Sequence, residues 1–168
     1  MGHHFLKFRI EISRSWLIGP LISSMASKIF YDRVFKSFSR QGLMTTIGAQ
    51  LGKVERGTCE IFLPYSDKVT QQQGGFHGGA IGAIADIAGG YASLTVAPDG
   101  MEVTTVEYKI NFVAAFHGGN LRAVGKVVKE GKRLHVTTAE VFHVSASGEE
   151  KLCAVMQQTL VPVNKSYD

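Results

Sequence analysis

Two groups in the middle of this chain have the types and spacing to do chemistry. Residues 76–97 are apolar or very small nearly throughout, and their only ionisable groups are His77, Asp86 and Tyr91. A carboxylate in such surroundings is expensive to bury, and its pKa rises unless partners hold it. Asp86 is therefore either a structural acid bonded to a hydroxyl or backbone N–H, or a group poised for proton transfer or nucleophilic attack. A single acid interrupting an apolar helix favours the second reading. The other group is His77-Gly78-Gly79, where a polar loop gives way to the apolar stretch. The first N–H groups of a helix lack internal partners and carry partial positive charge. Glycine lets a ligand approach that backbone closely. The Gly78 N–H is thus placed to polarise a carbonyl and hold the oxyanion that forms on attack. The bland alternative is a glycine-rich helix start needed only for packing.

Spacing sharpens the idea. Asp86 follows Gly78 by eight residues, which is about 12 Å along a helix. A carbonyl held at Gly78 is out of reach of Asp86 in the same helix. If both act on one substrate they come from two chains, so the reading predicts an isologous homodimer with two equivalent sites.

The elements that must position these groups follow from the apolar pattern. Residues 29–40 carry Ile29, Phe30, Val34, Phe35 and Phe38 on one helical face, with Gly42 as a stop. Residues 43–54 and 59–64 read as two strands joined by a hairpin at residues 55–58. Residues 66–75 read as a loop, and 76–97 as a helix apolar on every face, which belongs inside something. A membrane span has the length but carries Asp86 and many small residues, so it is rejected. Four strands close the chain. Val106, Tyr108, Ile110 and Phe112 alternate with Thr105, Glu107, Lys109 and Asn111. Residues 121–129 and 133–144 form the next pair, and residues 151–161 the last strand. Hairpin-linked strands make an antiparallel sheet, and only the small-residue helix is left to cover its apolar face. The expected class is α+β, with a twisted antiparallel sheet wrapped around a long central helix.

Composition excludes several classes. The chain has 168 residues, 45% apolar and 19% charged, which is ordinary for one globular domain. The net charge of +4 comes without a basic run interleaved with aromatics, so nucleic acid is not expected as a partner. The two cysteines, Cys59 and Cys153, lie in strand-like patterns without metal-ligand spacing. They read as buried hydrophobes in a reducing, cytoplasmic setting, with no metal and no cofactor. No G-x-S-x-G elbow is present. Residues 1–26 read as an extension outside the core domain of residues 27–168. Their basic start and apolar middle have a weak likeness to a signal peptide, opposed by Pro20 and Glu11.

The run Gln71-Gln72-Gln73-Gly74-Gly75-Phe76-His77-Gly78-Gly79, with Asp86 nine residues after the histidine, resembles the PaaI-like branch of the hotdog-fold acyl-CoA thioesterases. So do the segments from Asp86 to Ala92 and from Thr105 to Phe112. The likeness covers residues 28–163. It implies the hotdog fold and hydrolysis of acyl-CoA thioesters, with medium-chain or aryl acyl groups, to free acid and CoA. It assigns Asp86 as the acid that activates water or attacks the thioester carbonyl, Gly78 as the backbone donor to that carbonyl, and His77 as the loop residue beside it. Thr105 matches a Ser/Thr that places the water, with Thr104 the neighbouring alternative. Relatives carry Asn six residues before the histidine, where this chain has Gln71 and then Gln72. These two and Gly79 are the substrate-binding expectation. Coenzyme A would lie between subunits of a homodimer, itself open to pairing into a homotetramer, and Lys129, Lys132 and Arg133 are candidates for its phosphates. The competing expectation is a non-catalytic hotdog module that binds acyl-CoA or another apolar ligand. A hotdog dehydratase fits the helix pattern less well.

Overall fold

The computed structural model describes residues 15–167, with side chains from Ser27 onward. Helix α1 (Ser15–Phe38) is followed by a short helix α2 (Gly42–Ile47) and the hairpin β1 (Gln50–Glu55) and β2 (Thr58–Pro64). A 3-10 turn at Asp67–Val69 leads through the polar loop to the central helix α3 (Gly78–Leu94). Four strands follow: β3 (Met101–Phe112), β4 (Asn120–Glu130), β5 (His135–Val144) and β6 (Glu150–Asn164). All six strands pair antiparallel in the order β1-β2-β4-β5-β6-β3. This is the expected α+β hotdog architecture.

The sheet wraps α3 because alternate residues of each strand are small or aliphatic on one face. Ile61 and Leu63 of β2, Ala123 of β4, Val141 of β5 and Ala154 and Met156 of β6 meet Ile84, Ala85 and Ala88 in one core. At its closest, α3 rests on Gly125 of β4, where a Cβ would lie 2.2 Å from the Ala88 carbonyl, so no other residue fits that crossing. Arg33 of α1 donates to the carbonyl oxygens of Ala97, Pro98 and Met101, which ties the helix to the α3–β3 turn.

One expectation is corrected. Residues 43–54 were expected to be a strand, but Gly42–Ile47 is helical and β1 starts only at Gln50. The threonines and isoleucine there favour strands locally. Burial of Met44 in the core and closure of the turn by Gly48, at φ +76°, outweigh that preference. Gly42 accordingly opens α2 and is not the stop of α1, which ends at Phe38. The extension expected over residues 1–26 lies in part outside the described residues, and α1 covers the rest of it from Ser15 onward.

The edge strand β3 carries the feature that matters most for the site. Its register against β6 shifts between Thr105 and Glu107, leaving Val106 as an extra residue. Thr105 pairs with Leu160, and Tyr108, Ile110 and Phe112 pair with Gln158, Met156 and Ala154. Leu160, Gln158, Met156 and Ala154 are all buried. The bulge therefore puts Thr105 on the same, helix-facing side as Tyr108, which uninterrupted alternation forbids. Val106, expected to continue the apolar face, is 60% exposed instead.

Candidate active site

Asp86 sits mid-way along α3, facing β3 and β6. Its Oδ1 accepts a hydrogen bond from Thr105 Oγ1 at 2.7 Å and from Gln158 Nε2 at 3.0 Å. Gln158 Nε2 also reaches the Asp86 backbone carbonyl at 3.3 Å. Among the described residues Oδ2 has no partner. Burial pushes the Asp86 carboxyl above its ordinary value, and the bonds from Thr105 and Gln158 oppose that rise. A carboxylate held by one oxygen, with the other open and its basicity raised, is equipped to take a proton from water or to attack an electrophilic carbon. A cavity of about 310 Å³ opens beside it, lined also by Ser37, Gln41, Tyr91 and Glu102.

Gln158 was not anticipated. It is fully buried on β6, between Met156 and Leu160 on the inward side of the strand. The available signal was a lone amide at an inward position. Room for it comes from Gly89 of α3, where a Cβ would stand 2.2 Å from Gln158 Oε1 and 2.7 Å from Thr137 Oγ1. Of the two threonines considered, Thr105 makes the bond to Asp86. Thr104 is exposed, although it lines the same cavity.

His77 is the N-cap of α3. Its Nδ1 accepts from the Gly79 N–H at 2.8 Å, so a neutral ring carries its proton on Nε2. That bond occupies the Gly79 N–H, so Gly79, an expected substrate contact, has no backbone donor left to offer one. The Gly78 N–H has no acceptor among the described residues. It opens beside a separate apolar cavity of about 130 Å³ lined by Phe76, Ile81, Phe112, Phe116 and Cys153. Gln71 lies in the loop before α3 and does not line this cavity. Its side-chain oxygen accepts from the Gln73 N–H, and its backbone closes the turn to Gly75. Gln72 is exposed on the outside of that turn.

The structure thus brings Asp86 and Thr105 together in one place and His77, Gly78 and Gln71 in another, within one chain. Lys132 and Arg133 line a third cleft, of about 580 Å³, with Pro98 and His135. No cluster of metal-ligating side chains occurs among the described residues, and no helix among them is long and apolar enough to cross a membrane.

Comparison with known proteins decides the family. The family model described as the thioesterase superfamily matches residues 73–147. A Saccharolobus solfataricus protein described as a candidate esterase is 38% identical over 109 residues, 65% of this chain and 76% of that protein. The chain belongs to the thioesterase superfamily. A solved thioesterase-family protein from Silicibacter pomeroyi superposes with a TM-score of 0.77 at 34% identity, covering 81% of this thioesterase and 99% of that chain. The 1,4-dihydroxy-2-naphthoyl-CoA hydrolase of Listeria monocytogenes is 29% identical over 74% of the chain and 98% of its own length. The PaaI protein of E. coli shares the fold, with a TM-score of 0.72 over 83% of this chain and 96% of that one, at 18% identity. As a thioesterase, the protein is a thioester hydrolase of the hotdog type.

Proposed function

We propose that this thioesterase hydrolyses acyl-CoA, with medium-chain or aryl acyl groups, at two equivalent sites that each need both chains of a homodimer. The observation that carries the reading is the Asp86 carboxylate, fixed through Oδ1 by Thr105 and Gln158 and open at Oδ2 into a cavity. The substrate carbonyl lies on the Gly78 N–H of the partner subunit, beside its His77. Asp86 takes a proton from a water placed by Thr105, and the hydroxide adds to the carbonyl carbon. The tetrahedral oxyanion rests on that N–H. The C–S bond then breaks, the sulfur leaves with the proton, and free acid remains. Direct attack by Asp86 gives a mixed anhydride that water then opens, with the same products. Gln71 and Gln72 act on the loop that flanks the thiol arm, with Gly79 presenting a bare Cα beside it.

Support for the dimer comes from strand β3. It pairs with β6 on one side only, and it is an edge of the sheet. Val106, Tyr108 and Phe112 on it are 60%, 46% and 52% exposed. A long apolar edge of this kind is a liability unless covered. Pairing two β3 edges about a twofold axis covers it and sets the two α3 helices antiparallel, each Asp86 toward the other chain's Gly78. Further pairing into a tetramer is compatible with this arrangement. The reading keeps a cytoplasmic setting, acyl-CoA as the small-molecule partner, and residues 27–168 as the catalytic unit.

The test is a panel of short, medium and aryl thioesters assayed with wild type and Asp86→Asn. The expected loss in kcat/KM is at least about 10²-fold, the usual scale for removing a positioned acid or base. Equal rates for the two proteins overturn the mechanism.

A further inference from the structure

The amide that holds Asp86 has a second end, and that end points away from the cavity. Gln158 Nε2 lies 3.0 Å from Asp86 Oδ1, 3.3 Å from the Asp86 backbone carbonyl oxygen and 3.4 Å from Thr105 Oγ1. Thr105 gives its own proton to Asp86, so all three atoms act as acceptors there. Chemistry therefore fixes the amide, nitrogen toward Asp86 and oxygen away. A turned amide sets its oxygen against a carboxylate and two further acceptors.

Gln158 Oε1 faces the notch left by the missing side chain of Gly89. A Cβ there lies 2.2 Å from Gln158 Oε1 and 2.7 Å from Thr137 Oγ1, so the two oxygens crowd one point. Thr137 stands directly opposite Gln158 in the β5–β6 ladder, and both residues are fully buried. Neither oxygen has another partner among the described residues. One is an acceptor, and the other carries a hydroxyl proton that is free to rotate onto it. Valine has the shape of threonine without a hydroxyl to desolvate, so shape alone does not account for Thr137.

We propose that Thr137 is a positioning residue for the hydrolytic reaction: its hydroxyl donates to Gln158 Oε1 and locks the amide that holds Asp86 Oδ1. The inference rests on Asp86 being the reacting acid. Linked hydrogen bonds reinforce one another away from water, so donation to Oε1 makes the amide N–H a stronger donor to Asp86. It also denies the amide its other orientation. Oδ1 stays engaged, and Oδ2 stays free for the proton or the carbonyl carbon. Thr137 does not line the cavity beside Asp86 and acts only through the amide. The ionisable groups that share that cavity are Glu102 of β3 and Tyr91 of α3, and the lining from α1, Gln41 and β6 is uncharged. Tyr108 of β3 reaches the same helix at Gly82. Glu102 and Tyr91 bond to Ser37, Gln41 and Tyr167, so a change at Thr137 leaves them in place.

The experiment records kcat/KM for octanoyl-CoA and benzoyl-CoA from about pH 4 to 8. It compares wild type, Thr137→Val, Thr137→Ser, Gln158→Leu and Thr137→Val combined with Gln158→Leu, each checked for folding by thermal unfolding. Thr137→Val should move the acidic limb up by about half a pH unit or more, the scale of one hydrogen bond. Thr137→Ser, which keeps the hydroxyl, should stay with wild type. Added to Gln158→Leu, Thr137→Val should give no further shift, because the link is already broken. A threonine with a merely structural role changes stability and leaves the limb where it was. The proposal is overturned if the limb does not move in Thr137→Val, if Thr137→Ser moves it as far, or if the shift persists in the combined variant. If Thr137→Val does not fold, a crystal structure of wild type decides. Thr137 Oγ1 within about 3.0 Å of Gln158 Oε1 supports the link, and a longer separation overturns it. An unmoved limb with Asp86→Asn inactive removes this inference and leaves the Asp86 mechanism standing. Asp86→Asn as active as wild type, or no turnover of either thioester, removes both.

Discussion

At the residue scale the question is what sets the basicity of Asp86. Burial raises its pKa, and the bonds from Thr105 and Gln158 lower it again. The group acts as a base or nucleophile only when ionised, so kcat/KM should rise with pH along an acidic limb centred above the ordinary carboxylate range. Gln158→Leu removes one of the lowering bonds, and the limb should move to higher pH. A profile measured from about pH 4 to 8, the range that brackets shifted carboxylates, checks this, and an unmoved or lowered limb contradicts it. The stability linkage has a definite sign. The folded pKa lies above the unfolded one, so the protonated acid favours the fold at low pH. That contribution is lost as pH rises through the folded value. Wild type should therefore gain less from rising pH in this window than Asp86→Asn, which has no such group to ionise. Asp86 and His77-Gly78 were legible because an acid in an apolar helix and glycines at a helix start are anomalies in any pattern. Gln158 was not, since the polar run Gln157-Gln158-Thr159 in β6 looks like ordinary strand polarity until its neighbours across the sheet are known.

The elements show why the acid ends up held at all. Two local devices do it: the bulge at Val106, which turns Thr105 inward, and the absence of a side chain at Gly89, which admits the Gln158 amide. Gly89→Ala places a methyl 2.2 Å from Gln158 Oε1 and 2.7 Å from Thr137 Oγ1. Both neighbours are buried and short of hydrogen-bond partners. The expected cost is about 1–3 kcal/mol by overpacking, read from urea or thermal unfolding. Activity should fall with it, because the amide must leave Asp86. Unchanged stability, with unchanged kcat/KM, contradicts this account. The order of helix, hairpin, buried helix and four strands was readable from periodicity. The short helix α2 was not, because Thr45, Thr46 and Ile47 carry strand-like propensities that the insertion of Met44 into the core overrides. The bulge was equally hidden, since one extra residue leaves the alternation of β3 intact on either side.

At the scale of the whole molecule the same helix must serve two sites. Within one chain Gly78 opens on one cavity and Asp86 on another, and the two are separated by about 12 Å of helix. Complementation between inactive chains separates a two-chain site from a one-chain site. Asp86→Asn removes the base. Gly78→Pro removes the backbone donor while keeping the fold, because proline is well suited to the first position of a helix. The nearest obstacle to it is the tip of the Phe112 ring, 3.3 Å from a Cβ at that position, on an exposed side chain with room to turn. Each variant alone should be inactive. A heterodimer pairs the intact Asp86 of one chain with the intact Gly78 of the other at one site, and both defects at the second. After full exchange of an equimolar mixture, half the dimers are mixed, so activity should return to roughly a quarter of wild type if the dimer is isologous. A mixture that stays inactive, although light scattering and mass spectrometry show exchanged dimers, rejects the shared site. A stable monomer with full activity rejects it more directly, since no such molecule can bring Asp86 to the end of α3 where Gly78 stands.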